Sequence, residues 1–106
     1  MKINPNNFVP FFKMGFILNN NGRYFEAYPF AKRSVDLEPK SWQGHHNLIK
    51  ILRNLNRPHE ALEIAKKATT LFSRNHLFFG LLADIYSELG NFKNAETNYT
   101  KAIKLA

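Results

Sequence analysis

The residues that could do chemistry in this chain are few, and their spacing argues against most of it. His45 and His46 are adjacent, while His59 and His76 stand apart. No two of the four lie one helical turn apart, the spacing by which a helix offers two imidazoles to one metal ion. Neighbours on a helix point about 100° apart, so His45 and His46 diverge. There is no cysteine, which removes disulfides, thiolate metal sites and thiol nucleophiles together. The hydroxyls of Ser34, Ser41, Ser73, Ser87, Thr69, Thr70, Thr97 and Thr100 sit in no nucleophile motif. The five glycines are isolated, so none builds a phosphate-cradling loop. The chain therefore reads as non-enzymatic, with no catalytic residue, metal or cofactor assigned.

Charge is the remaining chemistry. The 106 residues carry a net charge of +7, which favours acidic partners. It is uneven: within 42–75, Lys50, Arg53, Arg57, Lys66, Lys67 and Arg74 face only Glu60 and Glu63, whereas 76–106 is balanced. No basic run and no RNA-binding motif accompanies it, so nucleic acid is a lesser expectation than protein.

The elements that position these residues follow from a period of 34. Ala27, Ala61 and Ala95 recur at that spacing, as do Leu37, Leu71 and Leu105, then Met14, Leu48 and Leu82, and finally Gly22, Asn56 and Gly90. Like residues at one shared period imply stacked structural units. Each unit reads as two helices. Leu82, Ile85, Tyr86 and Leu89 keep the spacing of one helical face, Gly90-Asn91 breaks it, and Phe92, Ala95, Tyr99 and Ala102 resume it. Turns at Asn20-Asn21-Gly22 and Asn56-Arg57-Pro58 do the same earlier, with Pro58 suited to a first helical turn.

This pattern resembles the tetratricopeptide repeat (TPR) family. Repeat 3 carries Phe79, Leu82, Ala83, Tyr86, Ala95, Tyr99 and Ala102 at the family's signature places. Repeat 1 offers Phe11, Met14, Gly15, Leu18, Ala27, Ala31, Ser34 and Pro39; repeat 2 offers His45, Leu48, Ile49, Leu52, Ala61, Ala65 and Ala68. His45 thus occupies an aromatic packing place. The resemblance implies an all-α fold, a right-handed α-solenoid of three helix-turn-helix units at 8–41, 42–75 and 76–106, with 1–7 as the remnant of a preceding repeat or a cap. Ile49 beside Ala65 suggests a large residue offset by a small one. Gly15 with Ala31 predicts a void unless Tyr28 or Phe30 turns inward. Pro29, inside the second helix, removes one hydrogen bond and should kink it.

The resemblance also implies a concave groove, lined by the first helix of each repeat, that binds a peptide or helix of a partner protein. By register that groove holds Val9, Phe12, Phe16, Asn19 and Asn20; then Gln43, His46, Asn47, Lys50, Arg53 and Asn54; then Leu77, Gly80, Leu81, Asp84, Ser87 and Glu88. Lys50 and Arg53 would meet a partner's acidic group, and the amides its backbone. Of the family's chaperone-binding carboxylate clamp only Asn47 is present, and Lys13 and Leu81 interrupt an asparagine ladder.

FVPFFKMGFIL is too short for a membrane span, which takes about twenty apolar residues, and reads as a buried helix. With no targeting segment evident, a cytoplasmic location is the default expectation and no membrane partner is expected. At the ends, Phe78, Ile85, Leu89 and Ile103 are expected to face an absent next repeat. The apolar first helix is expected to be similarly open. Self-association through these edges, or membership of a longer array attached to an enzyme, is the alternative reading. Ile3 and Pro5 lie 34 residues before Leu37 and Pro39, as if closing an earlier repeat; an Asn-rich leader capping the first helix is the other reading.

Overall fold

The computed structural model describes residues 6–106, which form six α-helices and no strand. They are α1 (Phe8–Asn20), α2 (Tyr24–Leu37), α3 (Trp42–Asn54), α4 (Pro58–Leu71), α5 (His76–Glu88) and α6 (Phe92–Leu105). Odd-numbered helices have 13 residues and even-numbered ones 14. Their starting residues recur every 34 positions, so the sequence period is also the period of the architecture. The reading of Ile3 and Pro5 lies outside the described residues. The helices gather into two units, one ending at Leu55 and one running Asn56–Ala106.

Local chemistry sets the helix boundaries. Asn7 and Asn75 cap α1 and α5, their side chains accepting from the Val9 and Leu77 amides at 3.1 and 3.0 Å. Arg23 and Arg57, one period apart, each pair with a glutamate three residues on, Glu26 and Glu60. Asn91 replaces that pair at α6, accepting from the Asn94 amide at 3.3 Å. The turn residues Gly22, Asn56 and Gly90 all adopt positive φ, at 77°, 58° and 80°. Asn56 tolerates the left-handed region as few other side chains do. Replacing it with valine should lower stability by about 1–2 kcal/mol, while glycine should be neutral or better. Chemical denaturation of both variants checks this.

In the N-terminal unit α2 packs against both α1 and α3. Ala27, Ala31 and Ser34 form the buried stripe of α2, and the Ser34 hydroxyl donates to the Ala31 carbonyl at 2.8 Å. The predicted void is absent. A Cβ built on Gly15 would stand 3.1 Å from the Ala31 nitrogen and 3.3 Å from its Cα, so two small residues bring the backbones into contact. Pro29 lies on the exposed side of α2, which continues as one helix across it.

α1 is less buried than its composition suggests. Only Gly15, Leu18 and Asn19 are buried, while Met14, Phe16 and Ile17 are 45–54% exposed. One flank of the helix packs, and the apolar residues exceed what that flank can cover. His45 is a packing residue, as expected: it is buried and its Nε2 donates to the Pro39 carbonyl at 2.8 Å, tying α3 to the segment leaving α2.

In the C-terminal unit α5 packs against α4 and α6. Two residues expected at an open edge are instead core. Phe78 and Ile85 are fully buried, and Phe78 stacks on Phe72 at 5.2 Å between ring centroids. The segment leaving α4 folds back over α5 and supplies that ring. Ile103 does remain exposed, at 76%. Ile49 in the N-terminal unit and Ala65 in the C-terminal unit are each fully buried. Arg33 lies over Phe11 at 5.9 Å and Lys101 over Phe79 at 5.8 Å, two periods apart, so even a cation–π contact repeats.

Candidate functional site

The candidate residues lie on the first helix of each repeat, α1 and α3 in the N-terminal unit and α5 in the C-terminal unit, and each unit is taken by itself. In the N-terminal unit α1 and α3 lie in contact. Their sequences, FVPFFKMGFILNN and WQGHHNLIKILRN, contain Lys13, Lys50 and Arg53 and no acidic residue. The carboxylates of α2 are matched locally, Glu26 by Arg23 and Asp36 by Lys32. The Arg23 guanidinium holds the Glu26 carboxyl below its usual range by hydrogen bonding. The α1/α3 face is therefore apolar and basic.

Its two ends differ. Phe8, Val9, Phe12, Lys13, Ser41 and Gln43 line an open pocket of about 260 Å³ where α1 and α3 begin. Phe12 also stacks on Phe16, with ring centroids 6.1 Å apart. At the other end Asn54 donates to Asn19 Oδ1 at 2.9 Å, clasping the last turns of the two helices. Asn19, expected as an open groove residue, is thus buried and serves the clasp.

Between the ends, Asn47 is only 4% exposed, and its Nδ2 has no hydrogen-bond partner. A buried, unmatched amide costs about 1–3 kcal/mol. Register reasoning places Asn47 among the candidate groove residues of α3 but does not show that it is buried. His46 is half-buried, with its ring edge-on to Trp42 at 6.1 Å. Burial first, and then the Lys50 charge, pushes its pKa below the ordinary 6.5. The neutral ring is the form the fold favours, so its contribution is present above about pH 6.5 and lost as pH falls through the depressed value. Thermal midpoints should fall between about pH 6.5 and pH 5, and His46→Gln should flatten that slope.

In the C-terminal unit, α5 carries Leu77, Gly80, Leu81, Asp84, Ser87 and Glu88. Leu77 is partly exposed, Leu81 is buried, and a Cβ on Gly80 would meet nothing within 4 Å. Asp84 accepts a hydrogen bond from the Tyr99 hydroxyl of α6, which fixes its carboxylate against the neighbouring helix. Ser87 is half-buried and Glu88 exposed. Sequence reasoning missed Phe8, Lys13 and Ser41 as lining residues. The pocket depends on how the start of α3 approaches α1, and no periodicity reports that.

Among the described residues no three His, Asp or Glu side chains gather as a metal site, and no helix is long and apolar enough to cross a membrane. Residues 78–106 match the family described as Tetratricopeptide repeat. No curated protein matches the sequence. Similar folds occur in solved structures. PcrH, in complex with the chaperone binding region of PopB, shares 16% identity at a TM-score of 0.89, covering 97% of this chain and 83% of that one. The TPR domain of Arabidopsis FLU shares 21% identity at a TM-score of 0.82, with 92% of each chain covered. MamA MSR-1 shares 24% identity at a TM-score of 0.85, covering 95% of this chain. This chain spans 58% of the length of that MamA chain.

Proposed function

From a tetratricopeptide-repeat fold whose last repeat also matches the family, we propose that this chain is a non-catalytic protein-binding module. The α1/α3 face takes a peptide or helix of a partner, as an adaptor or scaffold would. One observation carries this reading: a face with an apolar pocket at one end and basic and amide side chains along it, with no acidic residue on either helix. Such a mixture suits a segment of protein chain, whose apolar side chains, backbone and carboxylates each find a counterpart. That PcrH holds a segment of PopB on the same fold supports the choice. On α5, Leu77, Gly80, Asp84, Ser87 and Glu88 are the corresponding candidates within the C-terminal unit.

A peptide-display selection, run beside a titration with single-stranded RNA, tests the reading. Enriched peptides bound by the folded chain are expected. Tight RNA binding with a steep salt dependence, and no enriched peptide, would replace it with a nucleic-acid role.

A second reading has its own observation. Pro10, Met14 and Ile17 form an exposed stripe along α1, the kind of face a further repeat or a second copy would cover. On that reading the chain is a structural segment of an array, associating with itself or attached to an enzyme. Light scattering over a wide concentration range decides whether copies associate; an unchanging monomer mass removes self-association.

A further inference from the structure

We infer that the pocket where α1 and α3 begin seats one apolar side chain of an extended, acidic segment of a partner protein, and that Lys50 meets a carboxylate about three residues further along that segment. The inference rests on the protein-binding reading and specifies its ligand.

The size of the pocket comes first. About 260 Å³ is just below the roughly 300–1,000 Å³ of small-molecule sites, and suits one bulky side chain. Its lining comes next. Phe8, Val9 and Phe12 supply the apolar wall, while Ser41 and Gln43 give polar groups at the edge where a peptide backbone would pass. Lys13 completes the lining; its stem can lie along the apolar wall with the ammonium turned to solvent.

Spacing then gives the register. Gln43 and Lys50 stand seven residues apart on α3, about 10 Å along the axis at 1.5 Å per residue. An extended peptide advances about 3.3 Å per residue and covers that distance in about three. Charge selects an acidic residue there, because α1 and α3 offer cations and no carboxylate. An apolar anchor distinguishes such a segment from a nucleic acid, whose phosphates would use the lysines and leave the phenylalanine wall idle.

Fluorescence anisotropy tests this with labelled peptides, amidated at the C-terminus, that carry one phenylalanine and one glutamate at varied separation in a glycine–serine background. Tightest binding is expected at a separation of about three. Phe12→Ala and Lys50→Gln should each weaken that peptide about ten-fold or more. Lys104→Gln, on the exposed face of α6, should change nothing. Lys50 is exposed, so its variant should fold normally even if Phe12→Ala is destabilised.

Peptides that bind without regard to separation, and equally well to both variants, would overturn the inference and leave the protein-binding reading standing. Binding that requires a free C-terminal carboxylate would overturn the internal-segment assignment. If no peptide from this series or from the display selection binds, both readings fail.

Discussion

Gly15→Val should unfold the N-terminal unit under conditions in which the unaltered chain is fully helical. The first atom of any side chain at Gly15 would lie 3.1–3.3 Å from the backbone and Cβ of Ala31, and backbone cannot swing aside as a flexible side chain can. Alanine asks for a shift of a few tenths of an ångström. It should be close to neutral, since overpacking of about 1 kcal/mol is offset by a comparable gain in helix propensity. Valine adds two methyl groups where α1 and α2 already touch, and should cost about 3 kcal/mol or more. For a domain whose whole stability is of the order of 5–15 kcal/mol, that is a large fraction. Far-ultraviolet circular dichroism in a urea series would read it. A valine variant as stable as the alanine one would show that the two helices do not approach as closely as described.

Reversing both exposed lysines of the proposed binding face, Lys13→Glu with Lys50→Glu, should abolish binding of acidic peptides and confer binding of basic ones. Lys50 offers a charge-assisted contact worth about 1.5–3 kcal/mol, so its loss alone exceeds about ten-fold, and the two new carboxylates add repulsion to that. Both side chains are exposed, so thermal stability should hardly change. The effect should shrink with added salt, because exposed charges are screened over about 10 Å at moderate ionic strength. Anisotropy titrations with matched acidic and basic peptides measure both halves of the prediction. A reversed face that still prefers acidic peptides would place the binding surface elsewhere.

The two predictions differ in how much of them the sequence discloses. The period of 34 placed six helices and their turns, because helix starts, left-handed turn residues and small packing residues are local requirements that recur with the repeat. Distances between helices are not local. Gly15 opposite Ala31 looks like missing volume when side chains are counted one by one, yet the helices move together until no volume is missing. Phe78 looks like an edge residue by register, yet it is fully buried, with Phe72 from the end of α4 stacked on its ring. The candidate face was legible in the same partial way. Register placed Phe12, Phe16, Gln43, Asn47 and Lys50 on the first helices of the repeats. It could not show that Asn19 is consumed by Asn54, that Asn47 is covered, or that Phe8, Lys13 and Ser41 help line a pocket.

The central claim is that the α1/α3 face is where a partner segment binds. Nitrogen–proton correlation spectra, recorded while a selected peptide is added to the full chain, test it most directly. The account predicts shifts concentrated at the start of α1 and along α3, around Val9, Phe12, Gln43 and Lys50, with Pro29's surroundings on the outer side of α2 unmoved. Shifts confined to α2 or α6, with α1 and α3 silent, would contradict it.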